Sequence, residues 1–317
     1  MIALPWLEQN WEAFETQLEA GRLAHALLVS GPLGTGKSAL ADAMAARLLC
    51  VEPGASGACG QCRSCQLRAG GAHPDSFRLA PEAGKTQISV DAVRALIERL
   101  SLTAGLSPRK VAVIDPADAM NINAANALLK NLEEPPGDTV LILVAQNVAR
   151  LPVTIRSRCQ AISVHPPSRE QAVAWLAEAA GVDAAMAAEA LEAARGSPLR
   201  GLEFISQSLL EPYQRLQQQL RAVLRRPELA AATAMELGAE SDTDLVWYWL
   251  SCTAADAFKA CLDAEAGEWQ QDRAAIDTRA LGALQHEADR YRALARTPVR
   301  QDLLLQDWLI KWAQLTA

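Results

Sequence analysis

The octapeptide GPLGTGKS at residues 31–38 constrains this chain more than any other feature, because it matches the phosphate-binding pattern G-x-x-x-x-G-K-[ST] at every fixed position. Glycines let backbone N–H groups converge on phosphate oxygens without a Cβ in the way. Such a loop connects a buried strand to the start of a helix, whose positive end then faces the phosphates. The flanking sequences fit, since AHALLVS (24–30) is a short apolar run and SALADAMAARLLC (38–50) has apolar residues at helical spacing.

The loop predicts a nucleotide site that contains Gly31, Gly34, Gly36, Lys37 and Ser38. In this motif the lysine reaches the β- and γ-phosphates, and the serine hydroxyl can ligate Mg²⁺. The alternative is a chance match in a glycine-rich turn, which the flanking strand and helix argue against. The motif indicates nucleotide binding, and it does not by itself establish ATP hydrolysis.

A second motif, VAVIDPADAM at residues 111–120, begins with four apolar residues followed by an aspartate, like the second nucleotide-binding motif of ATPases. Asp115 can help to hold Mg²⁺, but the glutamate that usually follows it, and that activates water, is replaced by Pro116. The sequence therefore favours binding over turnover. A structural interpretation stays open: Asp115 caps a helix, Pro116 occupies its first turn, and Asp118 lies near its positive end.

Four of the seven cysteines form the pattern C-x8-C-x2-C-x2-C at Cys50, Cys59, Cys62 and Cys65. Four thiolates so close in sequence predict one tetrahedral Zn²⁺ with no position left for water or substrate, and therefore a structural site. Unligated cysteines are the alternative. Glycine, cysteine and proline are frequent in residues 51–75, for which we expect irregular structure. The other cysteines are expected to be ordinary buried or half-buried residues: Cys159, Cys252 and Cys261.

The chain has 317 residues, which is long for one average domain, and an ordinary globular composition with 50% hydrophobic and 21% charged residues. Its net charge of −7 gives no overall basic excess, so any contact with nucleic acid should be local or made through partners. No apolar run is long enough to span a bilayer, and the first residues do not resemble a signal peptide. These features predict a cytoplasmic protein without a membrane partner.

Short apolar runs alternate with helical patterns up to about residue 165 and then stop. This alternation predicts a parallel α/β domain over 1–165 that includes the cysteine module at 50–65. An alanine-rich helical domain is expected over 166–207, and a larger all-α domain over 208–317. The predicted strands lie at 24–30, 110–115, 139–146 and 161–164, with helices at 38–50 and 89–100 and a further helix that ends at Pro135-Pro136.

Six motifs occur in a fixed order, and together they resemble the AAA+ clamp-loader subunits, in particular the delta-prime family of bacterial DNA polymerase III. The resemblance is strong over about 20–165 and weak over the helical remainder. The motifs are RLAHALLVSGPLGTGKS (22–38), the four-cysteine insertion, GAHPDSFRLAP (71–81), ISVDAVRAL (88–96), NALLKNLEEPP (126–136) and LPVTIRSRC (151–159).

The resemblance implies an AAA+ P-loop NTPase domain with a parallel sheet, followed by a small helical lid and an all-α collar. It implies a hetero-pentameric ring that also contains the ATPase subunit and delta. That ring opens the sliding clamp and places it on primer–template DNA, with ATP and Mg²⁺ at subunit boundaries. The delta-prime family has a mostly non-hydrolysing, rigid role, and any polymerase activity belongs to the holoenzyme.

The resemblance also assigns residues. Arg158, within SRC at 157–159, matches the family's arginine finger, which acts on a neighbouring subunit's nucleotide; an ordinary surface salt bridge is the alternative. A polar sensor of the active ATPases is replaced by residues 145–147 (AQN). The lid sensor arginine falls near Leu199, and Arg200, one residue later, could point elsewhere because one helical step rotates a side chain by about 100°.

Two other classes of protein remain as alternatives. A self-sufficient AAA+ ATPase, either a clamp-loader motor or a remodelling enzyme, is disfavoured by Pro116. A zinc-dependent nucleic-acid-binding module is disfavoured by the acidic balance and by the closed four-cysteine site. His25 and His73 have no nearby catalytic partner in the sequence, and both are expected to be structural.

Overall fold

The computed structural model divides into two compact units, Met1–Glu203 and Phe204–Ala317. The sequence-based division into three domains stays a prediction, because the lid is not separated from the first unit by this division. The residues that the structure describes are 4–54, 57–239, 242–262, 276–295, 297 and 299–316.

A five-stranded parallel sheet in the order β2-β3-β4-β1-β5 forms the centre of the first unit. This sheet confirms the predicted α/β fold, and it contains one strand, β2, that the sequence analysis did not predict. All residues of β3 and β4 are buried, as expected for strands covered on both faces. The strands are β1 Ala26–Ser30, β2 Ser76–Leu79, β3 Lys110–Ile114, β4 Thr139–Ala145 and β5 Gln160–Ser163.

Helices cover both faces of the sheet, because alternate strand residues point to opposite sides. Leu28, Ile114 and Leu143 pack on one side in a core with residues of α4, α5 and α6. Leu27 and Val144 pack on the other side with residues of α1 and α2. The helices of this unit are α1 Glu8–Glu19, α2 Lys37–Leu49, α3 Arg63–Ala69, α4 Val90–Ser101, α5 Ile122–Glu133, α6 Val153–Arg156, α7 Arg169–Ala180 and α8 Ala184–Ala193, and α9 Pro198–Ser206 continues into the second unit.

The start of α5 corrects the helix-cap interpretation of Asp115 and Pro116. The helix begins at Ile122, where the Asn121 side chain accepts a hydrogen bond from the backbone N–H of Ala124 at 2.9 Å. Pro116 has an extended backbone (φ −83°, ψ 134°) ahead of a single 3₁₀ turn. Asp115 does not cap the helix because its carboxylate is bonded to an arginine side chain instead.

The expectation of irregular structure over residues 51–75 is also wrong in part, because α3 lies within this range. Cys62 caps this helix, and its sulfur accepts the backbone N–H of Cys65. A glycine-rich sequence can therefore form a short helix where the cysteine side chains fix its first turn.

The described residues of the second unit contain helices and no strand, as the sequence predicts for the region after residue 208. Trp308 and Trp312 are fully buried and stacked, with their ring centroids 5.2 Å apart. The indole N–H of Trp308 donates to the carbonyl of Leu284, and that of Trp312 donates to the carbonyl of Leu220, both at 2.9 Å. Both buried indole N–H groups therefore have a hydrogen-bond partner. The helices are α10 Leu210–Arg225, α11 Ala230–Gly238, α12 Thr243–Leu262, α13 Thr278–Leu294 and α14 Gln301–Ala313.

Within the described part of the chain, no helix combines the length and the apolar character that crossing a membrane requires.

Candidate functional site

The phosphate loop lies between β1 and α2, at the carboxyl end of the sheet. Gly34 and Gly36 have left-handed backbones (φ 68° and 88°), and Gly36 is the residue just before the helix. Gly31 has φ 152°, and a Cβ there would lie 2.3 Å from the carbonyl oxygen of Val164. The loop can therefore hold this shape only with glycine at these positions.

Lys37 is buried, and its ammonium group donates to the carbonyl oxygen of Pro32 at 2.5 Å. Burial lowers the pKa of Lys37, while the nearby charges of Asp115 and Asp118 act in the opposite direction. Ser38 is exposed in the first turn of α2. The lysine is thus held inside the loop, beside the place where the motif positions phosphates.

Residues from both ends of the first unit cover the loop. The indole N–H of Trp6 donates to the carbonyl of Thr35 at 2.8 Å, and the Trp6 ring contacts Trp175 edge-on with centroids 5.2 Å apart. The backbone N–H of Leu199 donates to the carbonyl of Gly34 at 3.3 Å. A Cβ on Gly34 would lie 3.4 Å from Cγ of Arg200, so the base of this arginine packs on the loop although it is one residue past the expected sensor position.

Asp115 lies at the end of β3 and is paired with Arg78 of β2. The guanidinium donates to Asp115 Oδ2 at 2.8 Å and to Asp42 Oδ1, on α2, at 2.5 Å. The negative charge that the sequence analysis assigned to Mg²⁺ is therefore already neutralised by a side chain of the same protein. As arranged, Asp115 does not fit the role of a magnesium ligand.

The other polar groups at this end of the sheet are also engaged. The Asp118 carboxylate accepts the backbone N–H groups of Gln146 (3.2 Å) and Asn147 (3.1 Å). The Asn147 side chain accepts the N–H of Ala149 at 3.0 Å. Neither side chain is placed to activate water, and the position after Asp115 is proline, so the groups named here supply no general base.

The four clustered cysteines converge as the sequence predicts, with their sulfurs all within 4.8 Å of one another. Individual separations are 3.6 Å for Cys50–Cys59, 3.8 Å for Cys50–Cys62 and 4.0 Å for Cys59–Cys65. With Zn–S bonds of about 2.3 Å, a tetrahedral site has sulfurs about 3.8 Å apart. The cluster can therefore bind a metal ion such as zinc.

Burial raises the pKa values of the Cys50 and Cys65 thiols, whereas backbone hydrogen bonds lower the pKa of the Cys62 thiol. The N–H of Cys65 lowers the pKa of the Cys62 thiol to about 6, and further N–H groups point at the sulfurs of Cys50 (3.4 Å) and Cys59 (3.3 Å). Metal ligands must be deprotonated, so these donors prepare the sulfurs for a cation. The other three cysteines are buried or half-buried, as expected: Cys159, Cys252 and Cys261.

His73 connects the cysteine module to the sheet. Its Nδ1 accepts the N–H of Asp75 at 3.0 Å, so Nε2 carries the hydrogen and faces the hydroxyls of Ser64 (2.8 Å) and Ser107 (3.1 Å). Both hydroxyls donate to the carbonyl of Leu49, at 2.6 and 2.7 Å. Burial lowers the pKa of His73, and the neutral ring completes a closed network between α2, α3 and the loop before β3.

Asp75 fixes the loop that precedes β3. Its carboxylate accepts the N–H groups of Gly105 (2.6 Å), Leu106 (2.8 Å) and Ser107 (2.7 Å). Burial alone would raise the pKa of Asp75, but these three donors outweigh it and hold the pKa below its usual value. His25 is likewise structural, since its Nε2 lies 2.8 Å from the carbonyl of Leu132.

Arg158 lies just before β5, at the amino end of the sheet. Its Nε donates to Glu133 Oε1 at 2.7 Å, and Nη1 donates to the carbonyl of Thr154 at 3.1 Å. The side chain is 35% exposed. The intrachain ion pair that the sequence analysis kept as the alternative is therefore present in this structure.

Three residues near the phosphate loop and Asp115 could not be predicted from the sequence: Arg78, Asp42 and Trp6. Arg78 lies in the quoted motif GAHPDSFRLAP, but its role depends on β2 pairing with β3, which places Arg78 opposite Val113. The only sequence signal was an apolar alternation too short to identify a strand.

The phosphate loop follows the first strand, β4 lies between β1 and β3, and helices cover both faces of the sheet. These features define a P-loop protein of the AAA+ type. The chain belongs to the delta-prime family of DNA polymerase III subunits. The family model described as "DNA polymerase III, delta subunit" matches residues 6–168.

The relatives support this assignment across most of the chain. The DNA polymerase III subunit delta' of Pseudomonas aeruginosa is 42% identical over 77% of this chain and 74% of its own. The subunit delta' of Escherichia coli is 42% identical over 61% of this chain and 58% of its own. The subunit delta' of Yersinia pestis is 32% identical over 97% of this chain and 94% of its own.

Two solved structures from Thermotoga maritima also align with the chain. A DNA polymerase III gamma subunit-related protein aligns over 96% of this chain and 99% of its own, with 16% identity and a TM-score of 0.47. The RuvB Holliday junction branch migration motor aligns over 96% of this chain and 87% of its own, with 17% identity and a TM-score of 0.46.

The cysteine cluster predicts the metal content of the purified protein. We expect about one metal ion per chain, measured as zinc by elemental analysis, because four thiolates close the coordination sphere of a single ion. Cys62→Ser should lose most of this metal, whereas Cys159→Ser, which changes a half-buried cysteine outside the cluster, should keep it. Full metal content in Cys62→Ser would contradict the assignment.

His73 predicts a loss of stability in mild acid. Because the pKa of His73 is lowered in the folded chain, the unfolded chain takes up the proton first as the pH falls below about 6.5, and the free energy of unfolding decreases. Urea unfolding at pH 7.5 and 5.5 should show a smaller pH effect for His73→Gln than for the wild type. His165→Gln, at an exposed position, should behave like the wild type; equal pH effects in all three proteins would refute the prediction.

Proposed function

We propose that this chain is the delta-prime subunit of a clamp loader and acts as its stator. In this role it joins the ATPase subunit and delta in a hetero-pentameric ring and helps to load the sliding clamp onto primed DNA. Family membership over most of the chain supports the assembly. The observation that carries the catalytic part of the proposal is the position of Arg158 relative to the chain's own phosphate loop.

The phosphate loop lies at the carboxyl end of the parallel strands, and Arg158 lies at their amino end. In the parallel pair β1–β5, Leu27 is opposite Gln160 and Ser30 is opposite Ser163. Arg158 comes before Gln160, while the loop follows Ser30. The two ends of the strands are separated by five residues at about 3.3 Å each, or about 16 Å. Arg158 is therefore directed away from its own nucleotide site, and a phosphate that it contacts must belong to another subunit.

The Glu133 partner is compatible with this role. An exposed ion pair contributes about 0.2–1 kcal/mol, so exchanging the carboxylate for a phosphate costs little. A guanidinium offers the same planar fork to either group, and it stays charged at all relevant pH values. We propose that Glu133 holds Arg158 at the surface until a neighbour's γ-phosphate replaces it.

The chain's own loop is proposed to bind nucleotide without hydrolysing it. Gly31, Gly34, Gly36, Lys37 and Ser38 keep the binding motif. The residue after Asp115 cannot act as a base, and the Asp118 carboxylate is occupied by backbone N–H groups. This arrangement speaks against the alternative of a self-sufficient AAA+ ATPase, and the acidic net charge of −7 speaks against an independent nucleic-acid-binding module.

The remaining assignments complete the proposal. The cysteine cluster holds a structural Zn²⁺ that orders the segment between α2 and β2, since all four ligand positions are filled by Cys50, Cys59, Cys62 and Cys65. Residues 166–207 form the lid and residues 208–317 the collar, through which the subunits associate. The expected location is the cytoplasm.

Arg158→Ala should lower ATP hydrolysis in the reconstituted loader without affecting assembly. The clearest measurement uses a complex whose other ATP sites are inactivated by substitution of their phosphate-loop lysines. Only the site that faces this chain then turns over, and loss of an arginine finger lowers its rate by about 10³-fold or more.

Arg156→Ala is the matched control, because Arg156 is an exposed arginine two residues away at the end of α6. It should retain hydrolysis and clamp loading. Unchanged DNA-stimulated ATP hydrolysis in the Arg158→Ala complex would refute the trans role of Arg158.

The purified chain should bind ATP and show no hydrolysis above background. Lys37→Ala should weaken binding, because it removes the cation that faces the β- and γ-phosphates. Calorimetry and a phosphate-release assay on both proteins test this. Turnover by the wild type that disappears in Lys37→Ala would favour the self-sufficient ATPase.

A further inference from the structure

Arg78 is positioned as a permanent positive charge between two carboxylates. Arg78 contacts two carboxylates through different nitrogens, at 2.8 Å from Asp115 and 2.5 Å from Asp42. Asp42 belongs to α2, the helix that begins at the phosphate loop. Asp115 directly follows β3, which lies two strands away from β1 in the sheet. A single guanidinium therefore ties β2, β3 and α2 together at the nucleotide site.

The exposure of the side chains differs within this cluster. The Asp115 side chain is only 14% exposed, whereas Arg78 is 48% exposed. The Asp42 side chain is 46% exposed, so only the Asp115 side of the cluster is shielded and the guanidinium remains accessible. An arginine has five N–H donors and does not lose its proton, so it can hold both carboxylates and still face phosphate oxygens.

A magnesium ion would meet an unfavourable environment at the same place. Mg²⁺ requires near-octahedral oxygen ligands, and in nucleotide sites it is held by one or two carboxylates together with the phosphates. Arg78 already occupies one oxygen of Asp115, and both oxygens of Asp118 accept backbone N–H groups. A divalent ion at the remaining Asp115 oxygen would lie beside a fixed positive charge and be repelled by it.

We propose that Arg78 takes the place of the magnesium ion in this chain and that the site binds the phosphates of ATP or ADP without a divalent metal. The inference rests on the proposed nucleotide binding by the loop at residues 31–38. Without a cation, Asp42 and Asp115 would repel the phosphates. Arg78 permanently offsets one of these two negative charges, whereas a bound metal ion can be removed by a chelator.

The test measures the affinity for ATP and ADP by calorimetry, with excess Mg²⁺ or with EDTA. The zinc content is checked after EDTA treatment so that the cysteine module stays intact. The wild type should bind equally well, within about twofold, under both conditions. Arg78→Ala should become dependent on magnesium, with binding at least about tenfold weaker in EDTA than in Mg²⁺.

Two further variants support the comparison. Arg78→Gln keeps a polar side chain of similar reach without the charge, and it should show the same magnesium dependence if Arg78→Ala folds poorly. Arg94→Ala removes an exposed arginine of α4 that pairs only with Asp91 among the described ion pairs, and it should remain independent of magnesium. Circular dichroism establishes that each variant is folded.

The possible failures are distinguishable. Wild-type binding that requires Mg²⁺, or magnesium-independent binding by both Arg78 variants, would overturn the role of Arg78 and leave nucleotide binding by the loop in place. Binding by Arg78→Ala but not by the wild type would show that Arg78 blocks the site, which overturns this inference and the proposed nucleotide binding. No binding by any of the proteins would overturn both as well.

Discussion

The hydrogen bonding of β1 between two parallel neighbours is the constraint on which the rest of the first unit depends. Ser30 at the end of β1 is aligned with Ala145 of β4 and with Ser163 of β5. Together with the pairing of β3 with β4 and of β2 with β3, this register places the phosphate loop, Asp115 and the Arg78 pair at the carboxyl end of the sheet. The same register places Arg158 and its partner at the amino end. Two chemically different surfaces thus follow from one set of backbone hydrogen bonds.

The charged groups of both surfaces have hydrogen-bond partners within the chain. Lys37 donates to a loop carbonyl, Arg78 is held by two carboxylates, and Arg158 is held by Glu133. These contacts differ in how easily they can be exchanged. Both partners of the Glu133–Arg158 pair are partly exposed, whereas the Asp115 side chain is mostly buried.

Local patterns made the strongest sequence predictions correct. The phosphate loop, four of the five strands and the four-cysteine cluster each depend on residues close together in the chain, so spacing alone reveals them. The predictions that failed depend on distant partners. Asp115 could not be recognised as an ion-pair residue rather than a helix cap without the pairing of β2 with β3. The short helix α3 escaped notice because cysteine sulfurs, and not helix propensity, fix its first turn.

The sequence by itself determined the class of fold, the nucleotide-binding motif, the group of four cysteines and the absence of a glutamate after Asp115. Each of these is a property of residue type at fixed spacing. Only the tertiary structure decided that Arg78 neutralises Asp115, that His73 joins the cysteine module to the sheet, and that Arg158 lies a full strand away from its own loop. Such facts follow from the order and register of parallel strands, which bring together residues tens of positions apart and separate others that the motifs alone would place in one site.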